Sequence, residues 1–499
     1  MLLNPAVSGF HPDPSVVRVG DDYYLACSSF EYFPGVPLFH STDAEHWTPI
    51  GHVVTRPGQL AIEDVPTGGG AWAPTIRFHD GQFWLTVADA MGRGGLIFTA
   101  TDPAGEWSDG VVMVGADGID HDITWDADGT CYVTYSGLLL TGPEFGTHLG
   151  IQQVRMDPTT GQALEAPRSL WSGTGLKFPE APHLYEIDGT WYLMIAEGGT
   201  ERGHGVSIAR GPSPEGPFEG APVNPVYSHR STSHPVQNAG HGDLVHTDDG
   251  WRMVLLGTRP GGMSQMFAPL GRETFTTRVA WVDGWPVVER FTLTPDLPPV
   301  ETTTSFAEPL GLEWLSIRDA ERGWLARSDG RLVITAPDDA PPVAMDAHRP
   351  HFLGRRQLHL GSRCAVRVDA SSGTGGLSVR YDERHHYDVE VSGGRLVARV
   401  RLDQLEQTWE AAVPDGPVEL WISTTPVVPG PGLDMPDLAT CDLVRLGYGS
   451  GADAVELAVV DGRYLTSDVT SSFTGRVTGM YAASGTVAFE GFEYAGHDA

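Results

Sequence analysis

Basic residues are in short supply. Lys and Arg total 32 against 64 Asp and Glu, a net charge of −32 over 499 residues, and such an anionic excess repels phosphate backbones and anionic bilayers. Nucleic acid and membrane surfaces are thereby excluded as partners. Cysteine is scarcer still: Cys27, Cys131, Cys364 and Cys441 lie far apart, with neither a CxxC pair nor the dense spacing of a disulfide-stapled miniprotein. They are expected to be reduced, mostly buried thiols. No run approaches the ~20 apolar residues of a membrane span. Met1-Leu2-Leu3-Asn4-Pro5 carries no basic stretch and opens no apolar run of signal-peptide length, so cytoplasmic residence is the expectation, a removed leader aside.

What is present argues for a large folded β protein. The acidic charge would permit disorder, but 40% hydrophobic residues with 14 Trp, 14 Tyr and 18 Phe are too many for an unfolded polyelectrolyte. The 62 Gly and 38 Pro, about a fifth of the chain, fit many short strands joined by tight loops rather than long helices. At roughly 150 residues per domain the length allows two to four domains, or one large all-β domain and a smaller one.

A repeat organises the first 300 residues. Five segments share a turn followed by aromatic and β-branched alternation: Val19-Gly20-Asp21-Asp22-Tyr23-Tyr24, His79-Asp80-Gly81-Gln82-Phe83-Trp84, Asp128-Gly129-Thr130-Cys131-Tyr132, Asp188-Gly189-Thr190-Trp191-Tyr192 and Asp249-Gly250-Trp251-Arg252. Each reads as a β-hairpin with a glycine turn. The glycines at 20, 81, 129, 189 and 250 are spaced by 61, 48, 60 and 61 residues, and a unit of that length holds about four short strands, one blade of a β-propeller. Nine residues before the later four glycines stand Trp72, Asp120, Glu180 and His241, and seven before the first stands Asp13. Singly, Asp13 between prolines reads as a turn residue, and Asp120 beside His121 and Asp122 as a solvated loop. Together they occupy equivalent strand starts, which converge at one end of a propeller axis, where clustered carboxylates are costly unless they serve a function.

At these residues the sequence resembles glycoside hydrolase family 43, five-bladed β-propellers that include β-xylosidases and α-L-arabinofuranosidases. The resemblance rests on Gly9-Phe10-His11-Pro12-Asp13-Pro14-Ser15, Ser28-Ser29-Phe30-Glu31-Tyr32-Phe33-Pro34-Gly35, Trp72-Ala73-Pro74-Thr75-Ile76-Arg77, Gly118-Ile119-Asp120, Glu180-Ala181-Pro182-His183, Ala196-Glu197-Gly198-Gly199, Gly240-His241 and Gly257-Thr258-Arg259-Pro260, in family order. It implies Asp13 as general base, Glu180 as general acid and Asp120 as the carboxylate that orients Glu180 and raises its pKa. Phe30 and Trp72 match aromatics that wall the terminal subsite, and Arg259 matches an arginine that contacts the sugar. Asp122 and Ala181 replace residues that are often Ser and Gly in relatives, which bears on subsite shape. Apolar Phe178, Pro179 and Pro182 are expected to desolvate Glu180. His241 keeps two readings, an axial ion or water site often assigned to Ca2+ and a neutral imidazole hydrogen-bonded to a catalytic carboxylate. No HxxxH or Asp-rich loop marks a metal, so no cofactor is required and a structural Ca2+ is the one ion in question.

Beyond Pro298-Pro299-Val300-Glu301-Thr302 the periodicity changes, and alternations such as Cys364-Ala365-Val366-Arg367-Val368 and Leu377-Ser378-Val379-Arg380-Tyr381 suggest a β-sandwich. The expected domains are a propeller over 1–300 and a sandwich over 301–499. Gly376–Tyr387 resembles the lectin-like sandwich that follows the propeller in β-xylosidase relatives, and Phe473 in Ser472-Phe473-Thr474-Gly475 resembles a loop residue at the active-site rim, with ordinary core as its bland alternative. The implied activity is exo-acting, inverting removal of terminal β-D-xylosyl or α-L-arabinofuranosyl units from hemicellulose oligosaccharides. Its rivals are an arabinan- or galactan-directed exo-hydrolase and a catalytically silent sugar-binding propeller. A homo-oligomer is compatible with all of these, and the bulk of the −32 charge is expected on a solvated surface.

Overall fold

In the computed structural model nearly every element is a strand. Residues 2–498 are described except 264, 296, 338–343, 414, 415, 429, 431, 433, 436 and 471. The chain divides into two compact units, neither a single stretch: Met1–Val7, His11–Thr258 and Glu273–Thr294 make the first, and Ser8–Phe10, Arg259–Arg272 and Pro295–Ala499 the second. The last crossing is near the linker composition at residue 300. The short excursions at Ser8–Phe10 and Arg259–Arg272 have no compositional mark.

The first unit is a five-bladed β-propeller in which each blade is an antiparallel meander. The innermost strands are β1 (Ser15–Val19), β2 (Gly70–His79), β3 (Ile119–Trp125), β4 (Glu180–Ile187) and β5 (Gln237–Thr247). They touch in sequence around a ring, β5 meeting β1. The repeat's turns are the hairpins that leave these strands: His79 pairs Gln82 across Asp80-Gly81, and Ile187 pairs Thr190 across Asp188-Gly189. Both residues of each turn have positive φ, the backbone that a two-residue hairpin with the strands' own twist requires. The fifth hairpin differs from the expectation, because Asp248 and Asp249 make its turn and Gly250 already pairs Thr247.

Blades stack face to face through apolar side chains that alternate along the strands. Ile97 and Met113 of the second blade meet Ile123, Val133 and Val154 of the third, and Met194, Val206 and Ile208 of the fourth meet Leu244, Met253 and Leu255 of the fifth. Each such side chain, buried, contributes about 1.5–3 kcal/mol. The ring is closed by the N-terminal segment. Val7 bridges Thr274 of the fifth blade, and buried Asn4 donates to the Thr276 carbonyl at 2.9 Å while accepting from the Thr276 N–H at 2.8 Å.

The second unit is a β-sandwich. Strands β6 (Gly361–Asp382) and β7 (Val477–His497) pair along almost their whole length, with register shifts near Arg367, Ser372 and Gly375, and such bulges bend long strands. Leu332, Val366, Leu377, Tyr387, Val389, Leu420 and Phe489 fill its core.

Closure sets the first expected outcome. Asn4→Ala strands the buried Thr276 N–H and carbonyl, and a lost buried partner costs about 1–3 kcal/mol. Guanidinium unfolding should show a loss in that range, and an unchanged midpoint would contradict the closure role.

Candidate active site

Four of the five inner strands of the propeller open with a register shift, and β1 pairs regularly from Ser15. The register shifts between Trp72 and Thr75, Ile119 and Asp122, Glu180 and His183, and Gly240 and Asp243. Within these bulges Ala73, Asp120, Ala181 and His241 have φ of 41°, 55°, 51° and 49°, and just before β1 Asp13 has φ of 56°. The left-handed region costs a non-glycine residue about 1–2 kcal/mol, and bulges re-aim side chains beside active sites. A left-handed residue thus recurs at all five strand starts, within a bulge in four of them.

Asp13 is buried, and its Oδ2 accepts from the Ser28 hydroxyl at 2.6 Å while Oδ1 lies 3.5 Å from His241 Nδ1. Ser28 Oγ in turn accepts from the Ala73 N–H at 2.7 Å, so one hydroxyl joins Asp13 to the residue beside Trp72. Asp120 is buried and accepts the Ala181 N–H at 3.0 Å, fixing the peptide that follows Glu180. The solvated-loop reading of Asp120, His121 and Asp122 is overturned, since all three are buried. His121 points outward to the Ala116 carbonyl at 2.9 Å, and burial pushes its imidazole down to about 4.

The aromatic pair is joined through the backbone, Phe30 bridging Ala71. Phe30 is 1% exposed, so partly exposed Trp72 has the surface left to offer a sugar. Its indole N–H donates to the Gly68 carbonyl at 2.6 Å. The environment of Glu180 also differs from expectation, because Pro179 and Pro182 are buried whereas Phe178 is 41% exposed and adds little desolvation. The loop before Glu180 is instead held by Glu197, which accepts from the Thr174 hydroxyl at 2.6 Å and N–H at 2.9 Å. Arg259 and Phe473 belong to the second unit. There Arg259 pairs with Asp498 at 2.8 Å, and Arg272 lies 5.4 Å from the Phe473 ring centroid.

The largest feature missed in the sequence lies two to four residues along the inner strands. Arg77 of β2 reaches Asp122 of β3 at 2.8 Å and Asp243 of β5 at 2.9 Å, and donates to His183 Nδ1 of β4 at 2.9 Å and to Ser15 Oγ of β1 at 3.2 Å. Asp243 also accepts from Ser15 Oγ at 2.7 Å, the Val16 N–H at 3.0 Å and the Tyr185 hydroxyl at 2.5 Å. Asp122 accepts the Leu184 N–H at 2.9 Å. Asp122 therefore answers to Arg77, and its carboxylate is not turned to a subsite. Burial would raise both carboxyls, but the guanidinium outweighs it and holds Asp122 and Asp243 below the usual carboxylate range. The one available signal was an acidic residue in the middle of each of two largely buried strands, Asp122 in β3 and Asp243 in β5.

Among the described residues no three His, Cys, Asp or Glu side chains group as a metal site. Calcium takes six to eight oxygens, so the His241–Asp13 pair alone is a poor fit to Ca2+.

Residues 2–286 match the profile of glycosyl hydrolases family 43. The chain belongs to that family. The rest of this family 43 protein, over 304–495, matches the β-xylosidase C-terminal concanavalin A-like domain. It is 36% identical to a non-reducing end α-L-arabinofuranosidase of Bacteroides ovatus, with 96% of this chain and 91% of the relative covered. A xylan 1,3-β-xylosidase from a Vibrio species is 32% identical, over 80% and 81% of the two chains. Among solved structures, a xylan β-1,4-xylosidase from Bacillus halodurans superposes with a TM-score of 0.86 at 27% identity, covering 99% of this chain and all of that one. As a family 43 member the protein is a glycoside hydrolase.

The depressed carboxyls give a pH dependence of stability. An acid whose folded pKa lies below its unfolded value stabilises the fold above about pH 4 and loses that contribution as pH falls. The guanidinium midpoint should fall steadily from pH 5 to pH 3, and Asp243→Asn should flatten the slope. Equal slopes for the two proteins would refute the assignment.

Proposed function

We propose that the protein is an exo-acting, inverting glycosidase that removes terminal β-D-xylosyl or α-L-arabinofuranosyl units from hemicellulose oligosaccharides. The observation that carries this reading is the separate presentation of two carboxylates on one ring. Asp13 precedes β1 and Glu180 opens β4, and β5 stands between those strands in the ring. Inversion needs such a gap, since a protonated carboxyl must reach the leaving oxygen while an ionised one activates water on the opposite face of the sugar, at roughly 6.5–9.5 Å. Asp13, oriented by Ser28 and His241, serves as the base. Glu180 serves as the acid, and Asp120 positions it through the Ala181 N–H. Trp72 supplies an apolar wall. The names of the relatives support both pentoses and cleavage at the non-reducing end. A silent propeller is disfavoured, because all three carboxylates are present and those of Asp13 and Asp120 are held by neighbouring groups.

The decisive assay compares wild type, Asp13→Asn and Glu180→Gln on xylo-oligosaccharides and on nitrophenyl β-D-xylopyranoside and α-L-arabinofuranoside. General acid–base groups contribute ~10²–10⁴-fold, so both variants should lose activity on that scale on the oligosaccharides. Glu180→Gln should lose less on the nitrophenyl glycosides, whose leaving group needs little protonation. Full activity in either variant would sink the assignment of roles. We infer also that no metal ion is required: chelation with EDTA should leave kcat and Tm unchanged, and a loss restored by Ca2+ would establish an axial ion instead.

A further inference from the structure

We propose that Arg77 is a positioning residue for catalysis, a single cation that sets where the five inner strands deliver the acid and the base. The inference rests on the glycosidase reading and goes beyond it by naming a residue that acts through others. Asp120, Ala181 and His241 sit at register shifts and Asp13 lies just before β1, all with left-handed backbone. Conformations of that kind persist only where the surroundings over-determine them. Arg77 provides the surroundings. Through Asp122 it grips β3 two residues after Asp120, and through the Leu184 N–H on Asp122 it reaches β4 four residues after Glu180. Through Asp243 it grips β5 two residues after His241, and through Ser15 and the Val16 N–H it reaches β1 two and three residues after Asp13.

The geometry makes the coupling short. Base and acid are borne by strands that are not ring neighbours, yet both are tied to carboxylates on the same guanidinium. The planar fork of Arg holds two anions in fixed directions, which a flexible ammonium cannot do. Withdrawing it leaves Asp122 and Asp243 buried, like-charged and uncompensated. The strands then relax apart at the bulges, where register is weakest. A displacement of about 1 Å at a reacting group costs on the order of 100-fold in rate.

The test uses Arg77→Met and the triple variant Arg77→Met/Asp122→Asn/Asp243→Asn, assayed with wild type, Asp13→Asn and Glu180→Gln on both nitrophenyl glycosides below each protein's melting temperature. Arg77→Met should lose about 100-fold in kcat with KM within about threefold, since a fault in alignment spares ground-state binding. The triple variant, free of uncompensated buried charge, should recover most of the lost melting temperature but not kcat. A purely structural role would return kcat together with Tm, and that result overturns the proposal, as does a folded Arg77→Met enzyme with near-normal kcat. If Arg77→Met does not fold, the folded triple variant alone decides the matter by the same kcat criterion. Full activity in Asp13→Asn or Glu180→Gln would instead overturn the glycosidase roles, so the two failures are distinguishable.

Discussion

A guanidinium taken out of water must meet anions or destabilise the fold, and the propeller is organised around that demand. Arg77, with 15% of its side chain exposed, lies between two fully buried carboxylates, Asp122 and Asp243. Each anion is drawn from a different blade, and each also accepts backbone N–H groups from the next. Replacing one partner leaves an uncompensated charge, whereas in the whole set the ion pairs to Arg77 and the hydrogen bonds to Asp122 Oδ2 and Asp243 balance the charges. The same contacts that neutralise Arg77 therefore tie the five inner strands to one another. Apolar stacking between blades is non-directional and contributes bulk stability, but it does not by itself fix strand register to the fraction of an ångström that proton transfer needs.

At the strand starts the backbone departs from regular pairing in four of the five inner strands. Asp13, Ala73, Asp120, Ala181 and His241 adopt a left-handed conformation, which is most costly for the two alanines. Hydrogen bonds hold the departures in place: Ser28 spans Asp13 and Ala73, Asp120 caps Ala181, and Glu197 pins the loop before Glu180. The site is thus a strained rim on a rigid ring, and the rigidity comes from the charged layer beneath.

Charge plays a larger internal part than composition suggests. Beyond Asp13, Asp120 and Glu180, the side chains of Glu31, Asp89, Asp122, Glu197, Asp243, Glu273 and Asp388 are wholly buried, and Asp442 nearly so. In the sandwich Asp442 is joined to Arg476 and Asp388 to His386, itself also bonded to Asp346. The expectation of a solvated surface concerned the bulk of the acidic charge, and these residues are exceptions to it. They satisfy buried cations and N–H groups, a use invisible to a charge count. The four cysteines, in contrast, are free and buried as composition implied.

The sequence alone determined the five-bladed repeat, because a hairpin turn needs Gly or Asp at φ above zero and those residues recur at intervals of 48 to 61 residues. It also determined the equivalence of Trp72, Asp120, Glu180 and His241, each nine residues before its turn glycine, with Asp13 seven before in a slightly shorter first unit. Tertiary structure alone decided which of the other polar residues matter. Arg77, Asp122, His183 and Asp243 acquire meaning only when four strands up to 166 residues apart in sequence bring their ends to one axis. It likewise decided that Phe178 is exposed and Phe30 enclosed, because burial of a loop aromatic depends on what packs over it and not on its neighbours in the chain. Periodicity carries local geometry, which each strand sets for itself. Pairing of buried charge is a long-range condition, written in no single stretch of sequence.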